Sequence, residues 1–467
     1  MNEEREYLYE ETPEAVVRRY EDMIRRNQPC YFDVHEYEDI IDFYLENNQV
    51  DNAGKAIQAA FAQHPESTSI QLRKAQVLID EGKPFQALKL LHTIEQYEPE
   101  NEDIYLVKAF ASIQLGNIKE AVRQYDIAIG LCEDDKIDLL HNIGITFLNS
   151  MHFKLAIKYL KMAHEMQPDD HTIIFDLAFA YERNNDFKKS IVFFNKYLDY
   201  NAYSELVWYK LGMVYHKMEN FDKAVESFNY ALAIDDTYAL VYLSKGNSLM
   251  EQGKYTEAIA AYNDFLELEH DYIIAYCSIG YCYEQLGQPE EALDYYKQAI
   301  EIDDELPEPW YSIGILKIEQ GKFNESLFYL NKAVELDDQN DEYWATIAEV
   351  SVNIGSLNNG LYAYLKAIET DPFNFHYWVN CAQLYIDMNY PDRAVKLLEG
   401  AIEYHSDIID IYYYLAAASF FNGNMDESLR YMEKALKENY NAHYLFLMKF
   451  PELESSPAIS KLIKKYK

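Results

Sequence analysis

Small, apolar and turn-forming residues recur along this chain every 34 positions, and that recurrence dictates its elements. Within each unit the apolar positions step by three and four, as on a helix with one buried face. The units run 34–67, 68–101, 102–136, 137–170, 171–204, 205–238, 239–272, 273–306, 307–340, 341–374, 375–408 and 409–442. The third has one extra residue, near Cys132 to Lys136. Position 8 is Gly or Ala in all but the first unit, from Ala75 and Ala109 through Gly144, Gly246 and Gly280 to Ala416. Position 20 is small throughout, as at Ala53, Ser190, Gly360 and Ser428. These two positions are expected to face each other across a helical pair, where a large side chain would hold the axes apart. Position 24 is large and apolar, as at Tyr125, Leu160, Phe194, Phe228, Tyr262 and Tyr296, and position 27 is Ala in nine of the twelve.

Breakers fall at equally fixed places. Position 15 reads Gly82, Gly116, Gly253, Gly287, Gly321, Gly355 and Gly423, with Asn48, Asn185 and Asn389. These types tolerate the left-handed conformation that ends a helix; only Met151 and Glu219 depart. The second helix ends near position 32, where Pro65, Pro99, Pro168 and Pro372 forbid continuation. Each unit is therefore helix, tight turn, helix, connector, with no strand signal. The fold class is all-α. All four tryptophans, Trp208, Trp310, Trp344 and Trp378, share one phase of the repeat.

The unit 205–238 carries Trp208, Leu211, Gly212, Tyr215, Ala224, Phe228 and Ala231 in register, and in this it resembles the tetratricopeptide repeat (TPR), of a bacterial, multi-repeat type. The resemblance covers about residues 34–442; Ile94, Tyr197 and Phe265 stand where the family prefers Ala. It implies an α-α superhelix, a solenoid of about twelve helix-turn-helix repeats whose first helices line a concave groove. Terminal repeats need their apolar faces covered. Residues 1–33 are assigned to an N-terminal capping region, with Thr12 and Pro13 opening a helix to about Arg26. Residues 443–467 are assigned to a C-terminal one, ending in the lysine-rich helix after Pro457.

The resemblance also implies that positions 2, 5, 9 and 12 of each first helix face the groove. They supply Leu106, Phe110, Phe175, Phe179, Tyr209, Met213, Leu243, Tyr281, Tyr311 and Ile315 as candidate partner-binding residues. An apolar, aromatic stripe of this kind suits an amphipathic helix or an extended peptide. Two readings stay open: a groove that takes a segment of a partner protein, and one covered by packing or by homodimerisation. The carboxylate clamp of chaperone-binding relatives is not assembled. The corresponding positions hold His141, Tyr209, Leu243 and Cys277, and Asn247, Asn142 and Asn380 lack cationic companions.

Charge narrows the partners. Acidic residues outnumber basic ones 79 to 41, a net charge of −38. Such a field repels phosphate backbones and anionic membrane surfaces, so the expected partner is a protein or peptide, apolar and neutral to basic, and neither nucleic acid nor membrane. The excess peaks between Ala231 and Trp310, with 17 acidic residues against three lysines. The chain opens MNEEREYLYEE, unlike a secretory signal, and its longest apolar stretch, Ile411 to Phe421, is too short to span a bilayer. Five scattered cysteines suit a reducing cytoplasm. No Gly-rich phosphate loop, helical His pair or nucleophile–base constellation is present. No enzyme activity, cofactor or metal is expected.

Overall fold

The structure is a computed structural model that describes residues 12–26, 28–47 and 49–466; the opening MNEEREYLYEE and the turn residue Asn48 lie outside the described residues. Among the described residues only helices form, with no strand. The period of 34 is the sum of its parts. A first helix of 13 residues (Glu205–Lys217), a three-residue turn, a second helix of 14 (Phe221–Ile234) and a four-residue connector repeat along the chain. The extra residue of the third unit does not lengthen the connector, which keeps four residues. It joins the next first helix, Lys136–Asn149, which has 14 residues. An added helical residue keeps its backbone hydrogen bond, whereas an added loop residue does not.

Local chemistry fixes the helix ends. The last connector residue caps the next first helix: Ser67, Asn101, Asp170, Ser204, Asn340 and Asn374 accept from its first-turn N–H groups. At the turn, the position-15 glycines have φ between 69° and 79°, and the next N–H donates to the carbonyl five residues back, as Lys83 to Leu78 at 2.7 Å. Met151 (φ 59°) and Glu219 (φ 57°) adopt the same left-handed backbone despite their side chains. The turn is thus imposed by the hairpin and not by the residue that occupies it.

The small positions do two different jobs. Position 20 does meet the backbone of position 8: Ser428 Oγ donates to the Ala416 carbonyl at 2.7 Å. A Cβ on Gly360 would lie 3.2 Å from the Ala348 oxygen. Position 8, however, points at position 24 rather than at position 20. A Cβ on Gly144, Gly246, Gly280 or Gly314 would come within 2.6 Å of Leu160, Tyr262, Tyr296 or Leu330. Glycine there makes room for the large residue sixteen places on.

Position 4 has a role of its own. The indole N–H groups of Trp208, Trp310, Trp344 and Trp378 each donate to the carbonyl six residues back, at 2.9 to 3.1 Å. The hydroxyls of Tyr105, Tyr276 and Tyr412 make the same bond. The acceptor lies in the connector of the preceding repeat, so each aromatic latches one repeat to the last. Burying the ring and satisfying its polar tip call for this arrangement.

The chain divides into two compact units, Met1–Asn220 and Phe221–Lys467. In the first, the helix Pro13–Arg26 buries Val16, Val17 and Tyr20 against the opening hairpin, and the Tyr20 ring meets Phe32, Tyr37 and Tyr44 edge-on at 5.9, 6.3 and 6.5 Å. Further along, Phe147 stacks on Tyr159 at 5.6 Å within a core that includes Tyr125. In the second unit the apolar stretch noted above forms the central helix Ile409–Phe421, buried from Ile411 to Ser419. Its cluster takes in Phe446, Phe450, Leu453 and Ile459 of the closing helices. Among the described residues no helix is long and apolar enough to cross a membrane. In both units the first helices of adjacent repeats touch directly, as Thr68–Asp80 does with Glu102–Gln114 and Phe375–Asp387 with Ile409–Phe421.

Candidate functional site

Each unit holds a cleft at the same place in the repeat, on the first-helix face. In the first unit it lies across the helices Thr68–Asp80, Glu102–Gln114 and Lys136–Asn149 and encloses about 200 Å³. Leu106 and Phe110 line it with Gln76, Val107, Leu139, Asn142, Ile143 and Thr146. Its floor is Tyr125, a position-24 residue whose hydroxyl burial pushes up to about 12. No side chain lining this cleft carries a charge.

The second unit repeats the frame with different contents. Three first helices, Ala239–Glu251, Ile273–Gln285 and Pro307–Glu319, enclose about 430 Å³. Tyr281, Tyr311 and Ile315 line it, with Met250, Ile274, Cys277, Ser278 and Ser312, over the position-24 residue Tyr296. Tyr281 is the most open of the sequence-derived candidates, 44% exposed, and its ring meets Tyr255 edge-on at 6.5 Å. Tyr311 meets Tyr343 at a tilt of 33°, 4.6 Å away, and its hydroxyl bonds Glu342 and Thr346 at 3.2 and 3.1 Å. Burial drives the Cys277 thiol up to about 12, so it stays protonated and is no nucleophile at neutral pH.

One lining residue of this cleft is ionisable and in the neutral range. Glu284 is half-buried, and desolvation lifts its carboxyl from the usual 4.5 to about 7; the Tyr296 hydroxyl pulls the other way, and the negative charge of Glu319 adds to the rise. Its Oε1 is buried and has no hydrogen-bond partner. Glu284 occupies position 12, on the same stripe as the candidates. A search of the stripe for apolar residues alone passes over it.

The other five candidates sit elsewhere. Phe175 packs on the second helix of its own hairpin, 6.0 Å from both Phe194 and Tyr197. Phe179 is half-buried under the cations of Lys210 and Arg183, at 5.4 and 6.0 Å. Tyr209 and Met213 are half-buried on the helix Glu205–Lys217, and Leu243 packs against the core beneath Ala239–Glu251. Two of the residues named for a clamp are engaged within the fold: His141 Nε2 bonds Asp176 at 2.6 Å, and Asn247 Oδ1 accepts from Tyr262 at 2.7 Å. All five cysteines are unpaired, and no metal-ligating cluster occurs among the described residues.

Comparison with known proteins agrees with this architecture. Residues 237–445 match the family of the cilia and flagella-associated protein 70 C-terminal domain, and residues 206–238 and 78–129 match two tetratricopeptide-repeat families. Among solved structures, MamA is 25% identical over 36% of this chain and 92% of its own, with a TM-score of 0.35. The C-terminal part of a TPR repeat-containing protein from Cytophaga hutchinsonii is 18% identical over 50% and 95%, with a TM-score of 0.41. YrrB, described as a TPR protein with an unusual peptide-binding site, is 24% identical over 40% and 96%, with a TM-score of 0.33. No curated protein matches the sequence.

Proposed function

We propose that this protein, a chain of tetratricopeptide repeats and so a protein–protein interaction scaffold, holds a segment of a partner protein against the first-helix faces of its repeats. The observation that carries the reading is the recurrence of a cleft at equivalent positions in both units, walled by Leu106 and Phe110 in one and by Tyr281, Tyr311 and Ile315 in the other. Solvated aromatic and aliphatic side chains around a concavity are the anchors that peptide recognition uses. The segment is apolar and neutral to basic, because the chain's charge of −38 repels acidic ones. The protein acts without catalysis, in a reducing cytoplasm where its five thiols remain unpaired.

The test is selection of peptides from a random display library on the full chain. The counter-target is the variant Leu106→Ser/Phe110→Ser/Tyr281→Ser/Ile315→Ser, with its helicity checked by circular dichroism. Selected peptides should bind the variant at least about tenfold more weakly. Equal binding to both proteins sinks the reading. A wild-type dimer that the variant turns into a folded monomer, seen by light scattering, assigns the same face to self-association instead.

A further inference from the structure

The geometry points to the cleft of the second unit as an arginine-binding site: it takes the guanidinium of one arginine, within an otherwise apolar partner segment, onto Glu284 between the rings of Tyr281 and Tyr311. This deepens the reading above and rests on it. Four observations carry it. The Tyr296 hydroxyl already bonds the Glu284 carboxyl, but its buried Oε1 has no hydrogen-bond partner, and a desolvated carboxylate oxygen left alone is costly, so it calls for a second donor. No lysine, arginine or histidine lines the cleft to supply one. The charges that bear on its lining groups from outside it, Glu251, Glu308, Glu319, Glu342 and Glu349, are all negative. The walls are tyrosine rings, methionine and isoleucine, which suit an alkyl stem and a flat cation lying on an aromatic face.

The choice of arginine over lysine follows from the same geometry. A planar guanidinium presents several donors in a fork, stacks on aromatic rings and sheds water more readily than an ammonium. A volume of about 430 Å³ is ample for that side chain. The surrounding sequence, 17 acidic residues against three lysines between Ala231 and Trp310, draws a cation toward it. The equivalent cleft of the first unit has Gln76, Asn142 and Thr146 as its polar groups and offers no such counter-charge.

The experiment repeats the library selection on the full wild-type chain and on Glu284→Gln, then replaces arginine by citrulline, its neutral isostere, in the peptides recovered. Arginine should be enriched at one position on wild type and not on Glu284→Gln. Citrulline should weaken binding about tenfold on wild type and less than twofold on the variant. Peptides that need Tyr281 and Ile315 but show no arginine enrichment, or the same citrulline loss on both proteins, overturn the arginine site and leave the groove standing. Recovery of no peptide overturns both. The citrulline swap on wild type needs no variant, so it decides the matter even if Glu284→Gln misfolds.

Discussion

Beneath Leu106 and Phe110, the first unit's cleft is finished with the amides and hydroxyl of Gln76, Asn142 and Thr146; between Tyr281 and Tyr311, its counterpart in the second unit is finished with Glu284 and Cys277. The frames agree because packing dictates them. Both floors are position-24 tyrosines, and both sets of walls come from successive first helices. The contents differ at several first-helix positions that face the cleft, from position 5 at Cys277 and position 6 at Asn142 to position 12 at Glu284, where the packing of the hairpin leaves more than one residue type open. A repeat protein can therefore vary its clientele one solvent-facing position at a time without disturbing its scaffold.

The sharpest way to break the comparison is to remove one floor. Gly280→Val places a branched side chain where even a Cβ comes within 2.6 Å of the Tyr296 ring. Overpacking of this kind should cost about 2–3 kcal/mol in chemical denaturation and abolish peptide binding that depends on the second cleft, leaving the first intact. Unchanged stability would show that the ring relocates freely.

Next in size is the charge that distinguishes the two. The folded-state value of Glu284, about 7, lies above its unfolded 4.5, so the folded chain holds this proton more tightly. Its contribution to stability is therefore lost as pH rises from about 4.5 through about 7, and the loss is constant above that window. Glu284→Gln should stabilise the second unit at pH 8 by on the order of 1 kcal/mol, a figure reduced for its partial exposure, and have almost no effect at pH 4.5. Urea titrations at the two values check the sign; an equal effect at both would mean the carboxyl is not desolvated.

The comparison can also be inverted. Asn142→Glu gives the neutral cleft a carboxylate, and its peptides should then prefer arginine to citrulline about threefold, a smaller margin than in the second unit because Asn142 is exposed. No preference after the swap would place selectivity in the tyrosine walls instead. The smallest effect concerns the scaffold alone. Met151→Gly relieves a left-handed side-chain-bearing residue at φ 59° and should add about 0.5–1 kcal/mol to the first unit, read from its denaturation midpoint.

The period of 34, the turns and the helix pairs were legible in residue type and spacing, because glycine, alanine and proline record backbone demands directly. Met151 and Glu219 were not legible as turns, since there the hairpin overrides the residue's own preference. Nor was the partnership of positions 8 and 24, because a glycine registers that space is needed and not for whom. The shared phase of the tryptophans was plain, but its meaning depends on an acceptor carbonyl six residues upstream, and every residue type carries one. Five of the ten candidate residues come together in the clefts. Phe175 does not, because a large ring at position 5 can equally fold back onto its own hairpin. Glu284 shares the stripe at position 12, but an apolar pattern carries no signal for a carboxylate.

The position-4 latches also imply an order of failure under load. In the second unit they occur in five consecutive repeats, at Tyr276, Trp310, Trp344, Trp378 and Tyr412. In the first, Tyr105 and Trp208 bracket Leu140 and Ile174, whose side chains have nothing to donate. Under tension the joints without a latch, those at Leu140 and Ile174 among them, would part before the five latched ones, which include the joints on either side of the repeat that bears Glu284.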